Sequence, residues 1–220
     1  MNEFCVKPRS TLVEDFSNSQ INVHGYHAAV KSIGLFGGSF DPVHTGHLLV
    51  VQAAIEELKL DRLFLIPAAR SPFKMDIQPA PAEQRLAMLR LALVGRTNCE
   101  VDEIEIKRGG TSFTIDTVRY FNQRFPEAKL YYLIGADNVA NLPKWRLAEE
   151  LSKLAEFVVI PRPGETPVPV PPPFRGRYLG GFPFGVSASQ IRERAKSGLP
   201  LEPLVPPPVA EFVRNNRLYA

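Results

Sequence analysis

Gly37-Gly38-Ser39-Phe40-Asp41-Pro42-Val43-His44-Thr45-Gly46-His47-Leu48 lies between two apolar patterns of different period. Ahead of it, Ser32-Ile33-Gly34-Leu35-Phe36 is a short apolar run that reads as a buried strand. Behind it, Leu48, Val51, Ile55 and Leu58 recur at helical spacing through Lys59. The stretch is therefore a strand-to-helix turn whose glycine pair lets backbone approach a ligand closely. His44 and His47 stand three apart where the helix begins, and there free N–H groups and the positive dipole end attract anions. These residue types predict a phosphate cradle. Neither a G-x-G-x-x-G fingerprint nor a G-x-x-x-x-G-K-[ST] loop competes with it.

Working outward, strands and helices alternate. Arg62–Pro67 reads as a second buried strand, 69–81 as a loop, and Glu83–Val94 as a helix with Leu86, Leu89 and Leu93 on one face. Alternation through Val101, Ile104 and Ile106 predicts a strand over Cys99–Ile106. Residues Thr111 to Thr114 are cap formers for a helix carrying Ile115, Val118, Phe121 and Phe125. A strand over Leu130–Gly135, a short helix, a helix from Pro143 to Ala155 and a strand over Phe157–Ile160 follow. Seven of the thirteen residues from Pro161 to Pro173 are proline, which forbids helix or central strand and predicts a stiff loop within the domain. A final strand at Tyr178-Leu179 and helices over Ser187–Ser197 and Val209–Arg217 complete the pattern.

Repeated strand–helix units with buried strands imply a parallel sheet covered on both faces. Right-handed crossovers make this an α/β, Rossmann-like doubly wound domain, with ligands at the carboxyl ends of the strands. Residues 1–30 are polar and aperiodic and are expected to be a flexible N-terminal extension. His24 and His27 within it have no Cys or carboxylate beside them and read as solvated tail.

Composition narrows the function classes. With 26 Lys and Arg against 23 Asp and Glu, a net charge of +3 suits an anionic substrate and argues against nucleic acid. Two cysteines cannot form a disulfide framework, and no apolar run approaches the roughly 18 residues of a membrane span. No signal-peptide core is visible either, so the expected setting is the cytoplasm, away from membranes. The oligomeric state is not legible.

The twelve-residue stretch resembles the G-G-[TS]-F-D-P-x-H-x-G-H-L signature of bacterial nicotinate-nucleotide adenylyltransferases, within the H-x-G-H nucleotidyltransferase superfamily. The resemblance runs from about Ser32 to Tyr219. It implies transfer of an adenylyl group from ATP to nicotinate mononucleotide, with His44 and His47 donating to phosphate oxygens and Gly37, Gly38, Ser39 and Phe40 lining the nucleotide site. Val186-Ser187-Ala188-Ser189-Gln190-Ile191-Arg192 resembles the family's I-S-x-[TS]-x-I-R, which implies that Ser187, Ser189 and Arg192 meet the phosphates of ATP. Arginine suits a pyrophosphate fork better than lysine does. Lys74 matches the lysine of the family's P-P-H-K loop, with Phe73 in place of the histidine.

Three further stretches carry substrate choice by the same resemblance. Gly110 to Thr117 is similar to G-x-[TS]-S-[YF]-T-x-D-T, implying that Thr111, Ser112, Phe113 and Thr114 meet the nicotinate carboxylate. Gly135 and Asp137 match I-G-x-D, whose aspartate accepts ribose hydroxyls. Trp145 matches a tryptophan that stacks on the nicotinate ring, and a cationic pyridinium favours such a face. Arg146 follows it where the family has an aromatic or histidine. The residues themselves would also serve as a plain capped helix, a strand-end turn and a packing tryptophan. The closing Pro208–Tyr219 resembles the family's last helix and is given a packing role, while Asp41 and Thr45 read as turn former and cap. Mg²⁺ is expected to arrive with ATP, with no protein metal site. The alternatives are a nicotinamide mononucleotide or phosphopantetheine adenylyltransferase, or a non-catalytic nucleotide-binding regulator.

Overall fold

In the computed structural model, which describes residues 30–70, 78–164, 166–182 and 184–220, period-two alternation decides which helices cover which side of the sheet. The strands are β1 (Ser32–Gly38), β2 (Arg62–Pro67), β3 (Cys99–Val101), β4 (Lys129–Gly135), β5 (Glu156–Ile160) and β6 (Gly176–Tyr178). All pair in parallel, in the order β3-β2-β1-β4-β5-β6. On one face Phe36, Leu63, Leu65, Leu133 and Val158 pack under the helices α1 (Thr45–Leu58), α2 (Ala82–Ala92), α6 (Ala188–Lys196) and α7 (Pro207–Asn215). On the other, Ile33, Leu35, Phe64, Ile66, Ile134 and Val159 pack under α4 (Thr114–Arg124) and α5 (Ala148–Leu154), with α3 (Ile104–Arg108) beside them. A strand with an apolar residue at every position is thus buried on both sides, as a parallel sheet requires.

The strand order reverses at β1: the chain first moves outward through β2 and β3, then crosses back to β4 on β1's other side. Such a switch point opens a crevice outside the carboxyl ends of the two strands. The twelve-residue turn leaves β1 at that crevice. This is the doubly wound sheet expected from the sequence.

Three local expectations differ, the first being that the helix read from Pro143 to Ala155 covers only Ala148–Leu154, because Leu147 turns into left-handed backbone at φ +52° and parts it from the 3₁₀ turns that end at Lys144. The strand read over Cys99–Ile106 stops at Val101, because the Asp102 carboxylate accepts the N–H of Ile104 at 2.9 Å and turns the chain into α3. The cap residues expected at Thr111–Thr114 do not cap α4. Its N-cap is Phe113, with no side-chain cap bond, because Ser112 is committed elsewhere. The Ser112 hydroxyl oxygen accepts the N–H of Ala69 at 3.0 Å and its own N–H donates to the carbonyl of Arg70. The proline-rich stretch returns to the same sheet, where Tyr178 of β6 accepts the N–H of Val168 and donates to its carbonyl. The N-terminal extension expected over residues 1–30, with His24 and His27, lies outside the described residues except for Val30, and Lys74 lies outside them too.

Candidate active site

The turn from β1 into α1 is held tightly. Phe40 adopts φ +47°, unusual for a residue with a side chain, and buries its ring edge-on against Phe36 and His47 at 5.4 and 5.0 Å. Of Phe40, then, only the backbone is placed to meet a ligand. The ring of His47 is set by its Nδ1, which accepts the N–H of His44 at 3.2 Å across the first turn of α1. That bond assigns the His47 proton to Nε2.

His44 is the N-cap of α1 and is 7% exposed. Burial pulls its pKa down to about 4, so it is neutral at pH 7. The two imidazoles stack with centroids 3.6 Å apart. With His44 neutral and the His47 Nδ1 accepting an N–H, the pair offers N–H dipoles rather than a cationic patch. The Nδ1 of His44 is buried and meets no hydrogen-bond partner among the described residues. A buried polar atom in that state costs about 1–3 kcal/mol. Gly46 explains itself here: a Cβ on it would lie 3.0 Å from His44 Nδ1 and 3.1 Å from Val186 Cγ1. Any side chain would push the imidazole out of place or force the two segments apart.

Val186 belongs to the second segment, which arrives about 140 residues later and starts α6. Ser187 caps that helix: its hydroxyl accepts the N–H of Gln190 at 3.3 Å, and the Gln190 side chain accepts the Ser187 N–H at 2.9 Å. This capping box fixes the direction of the first turn. Ser189 is exposed and accepts from Arg192 Nη2 at 3.2 Å. Arg192 reaches back to the opening turn, where its Nη1 donates to the carbonyl of Asp41 at 2.7 Å. The histidine turn and the arginine helix, remote in sequence, are in contact.

Arg85, read from sequence as one position of an amphipathic helix, underlies this junction. It is 2% exposed and donates to three carbonyls, those of Ser39, Ala68 and Ala80, at 2.9, 2.9 and 3.0 Å. Desolvation lowers its pKa from the usual arginine value, yet its charge is retained because that value starts so high. An arginine three places after a helix start carries no local sign of such a role.

On the other side of the switch point lie the residues assigned to the acceptor and to the adenylate ribose. Gly37 sits beneath Tyr132 of β4, whose hydroxyl would lie 2.5 Å from a Cβ at that position. Tyr132 OH also lies 3.5 Å from the Thr114 hydroxyl, so it spans from the phosphate turn to the start of α4. Below α4, Glu105 is buried and accepts the Thr117 hydroxyl at 2.6 Å, while the Ser112 hydroxyl also bonds to it. Burial pushes the Glu105 carboxyl above the usual range, and those two hydroxyls oppose the shift. Thr111 precedes this bracket and is half-buried. Trp145 follows a 3₁₀ segment (Ala136–Lys144) and sets its ring edge against Phe157 at 6.0 Å. Arg146 stacks its guanidinium over Phe113 at 4.9 Å and lies 3.6 Å from Asp116. It thereby ties the tryptophan segment to the start of α4. Beyond Gly135, Asp137 is exposed and pairs with Arg162 at 3.3 Å.

Comparison with known proteins identifies the family. The family model described as "Cytidylyltransferase-like" matches residues 35–194. A "Probable nicotinate-nucleotide adenylyltransferase" of Opitutus terrae is 43% identical over 191 residues, covering 85% of this chain and 97% of the relative. The chain belongs to the nicotinate-nucleotide adenylyltransferase family. The nicotinate-nucleotide adenylyltransferase of Bacillus subtilis is a second relative, 38% identical over 86% of this chain and 99% of its own length. Among solved structures, the Plasmodium falciparum nicotinic acid mononucleotide adenylyltransferase complexed with NaAD superposes with a TM-score of 0.71. It covers 86% of this chain and 97% of the other at 18% identity, a likeness of fold. Nucleotidyltransferases of this family use a divalent metal with ATP.

Proposed function

We propose that this protein transfers the adenylyl group of ATP to nicotinate mononucleotide, forming deamido-NAD and pyrophosphate, a step of NAD biosynthesis. The observation that carries the reading is the contact between the two phosphate-type segments: Arg192 bonded to the backbone of Asp41, three residues before His44. Family membership names the reaction, and that contact supplies the means.

The acceptor's 5′-phosphate has a second pKa near 6 and is mostly dianionic at neutral pH, so it attacks the α-phosphorus without a general base. A P–O bond forms there as the bond to the β-bridging oxygen breaks, and its electron pair leaves with pyrophosphate. The chain must therefore align two anions and stabilise charge spread over the transferring group. His44 and His47 supply N–H donors, His44 kept neutral by burial and His47 with its Nδ1 taken up by the His44 N–H. Arg192 supplies the fixed cation, and the start of α6 adds backbone N–H groups with the Ser189 hydroxyl. In this reading Lys74 adds a second cation, Ser187 and Gln190 hold the helix start, and Gly37 to Phe40 present backbone to the nucleotide. Gly135 and Asp137 take the adenylate ribose, with Asp137 leaving Arg162 for it. Thr111 to Thr114 receive the nicotinate carboxylate, and Trp145 faces the ring.

Mg²⁺ prefers oxygen ligands. Among the described residues no group of three His, Cys, Asp or Glu is placed to hold a metal, and Asp41 beside the cradle is already engaged. The ion fits as a companion of ATP, held by phosphate oxygens and water, and when bound it offsets charge on the departing pyrophosphate. Among the described residues no helix is long and apolar enough to cross a membrane; a cytoplasmic setting agrees with a substrate pair of soluble nucleotides.

Pyrophosphate release with ATP and each of three acceptors tests the proposal. The expected order places nicotinate mononucleotide first, nicotinamide mononucleotide well below it and phosphopantetheine at background. Preference for phosphopantetheine, or ATP binding without turnover on any of them, overturns it.

A further inference from the structure

We infer that Tyr219, which follows α7, is a positioning residue for Arg192 and acts on it through Asp41. The inference rests on the reading of Arg192 as a phosphate-binding group. Arg192 carries five N–H donors on a rotamer-rich stem, so its value to a transferring phosphoryl group depends on what holds the guanidinium still. Two contacts do so from α6 and the opening turn: Nη2 to Ser189, and Nη1 to the Asp41 carbonyl with Asp41 Oδ2 3.8 Å away. The remaining donors are left for an anion.

Asp41 is itself buried, at 4% exposure, and each carboxylate oxygen has its own task. Oδ1 accepts the Tyr219 hydroxyl at 2.7 Å and the N–H of Ala80 at 3.1 Å. Oδ2 is thereby turned toward Arg192. Arg85 anchors the Ser39 and Ala80 carbonyls on either side of this carboxylate. Asp41 is more than a turn former.

The route by which Tyr219 arrives is costly. Arg217, at φ +49°, is the ordinary left-handed end of α7, where the Leu218 N–H closes on the Val213 carbonyl at 3.0 Å, but Tyr219 beyond it also adopts left-handed backbone at φ +66°, a region that residues with side chains rarely enter. Such conformations persist where surrounding contacts over-determine them, and they gather at functional sites. Packing does not require the hydroxyl: Leu218 and the Tyr219 ring lie against the core, and a phenylalanine would fill the same space. What the oxygen adds is the bond to Asp41. Burial and the adjacent Asp41 carboxylate push the Tyr219 hydroxyl well above the usual tyrosine range, so it stays a donor throughout the working range.

A double-mutant cycle on the full chain tests this, with wild type, Tyr219→Phe, Arg192→Ala and the double variant. The readouts are kcat, KM for ATP, KM for nicotinate mononucleotide, and the ATP dissociation constant by calorimetry. Tyr219→Phe is expected to lower kcat/KM for ATP about fivefold, the worth of one hydrogen bond, with the acceptor KM within about twofold. In the Arg192→Ala background the same change should alter kcat/KM for ATP less than about twofold, the mark of one residue acting through another. An equal loss in both backgrounds, or an unchanged kcat/KM in Tyr219→Phe, overturns the inference. So does Arg192→Ala binding ATP as tightly as wild type. If wild type binds ATP but does not use nicotinate mononucleotide, the proposed reaction fails while the cycle read in ATP affinity still decides the role of Tyr219.

Discussion

At the proposed phosphate end of the crevice the supporting charges are buried, whereas across the switch point, where the adenylate ribose and the acceptor are proposed to bind, the outward-reaching pairs stand in water. Arg85 and Asp41 are 2% and 4% exposed, and between them they tie the opening turn to α2, α6 and the stretch after α7. Across the switch point, the Asp137–Arg162 pair is 55% exposed on both sides, and Arg146 is 53% exposed beside Asp116. Exposed pairs hold their geometry weakly and exchange readily, while a buried carboxylate or guanidinium with every bond made has one arrangement. The chemistry accounts for the difference. Phosphoryl transfer depends on donors already in place when charge shifts, so rigidity is useful there. Ribose and acceptor recognition, as proposed above, tolerates side chains that adjust as the ligand arrives, on a backbone that Glu105 and Tyr132 brace from beneath.

The strongest test of that contrast is His47→Ala. It should lower kcat about 100- to 1000-fold, the usual loss for one preorganised donor, while folding stability by urea titration falls by only about 1 kcal/mol for the lost cap bond. Near-normal turnover would break the claim that the rigid end carries the chemistry.

Acid stability sharpens it next. The folded-state pKa of His44 lies near 4, below its ordinary 6.5. Above pH 6.5 the group is neutral in both states and has no effect. As the pH falls from 6.5 toward 4 the unfolded chain binds a proton that the folded chain refuses, at about 1.4 kcal/mol per pH unit, so stability drops by about 3 kcal/mol in all. His44→Gln should remove that part of the acid slope in parallel urea titrations. An unchanged slope would mean that His44 is solvated rather than held dry.

The smallest effects are expected at the adjustable end. Trp145→Ala should raise the acceptor KM about tenfold with kcat little changed, as expected for uniform binding. Arg162→Ala should shift the ATP KM by less than about threefold, with the difference fading in salt. A large loss of kcat in either variant would erase the distinction between the two ends.

Much of this was legible beforehand because the signals are local. A strand ends, a glycine turn follows, and His44 and His47 fall at a helix start; each of those statements needs only neighbouring residues. The same holds for Ser187, whose hydroxyl marks the start of a helix. The strand assigned to Cys99–Ile106 went astray because one Asx turn at Asp102 outweighed a short apolar alternation. The capping role assigned to Thr111–Thr114 failed for a different reason: Ser112 had a partner 43 residues away, at Ala69.

The sequence by itself determined most of the strands and helices, the class of sheet and the two segments with phosphate-binding residue types, since periodicity and turn chemistry act over a few residues. Only the tertiary structure decided that Asp41 is a buried bracket, that Arg85 holds three carbonyls, and that Tyr219 closes on a carboxylate 178 positions away. An aspartate before a proline, an arginine on an amphipathic helix and a tyrosine after one are ordinary in isolation. Their roles arise from burial, which makes each unpaired charge or hydroxyl costly and so fixes partners that no local pattern records.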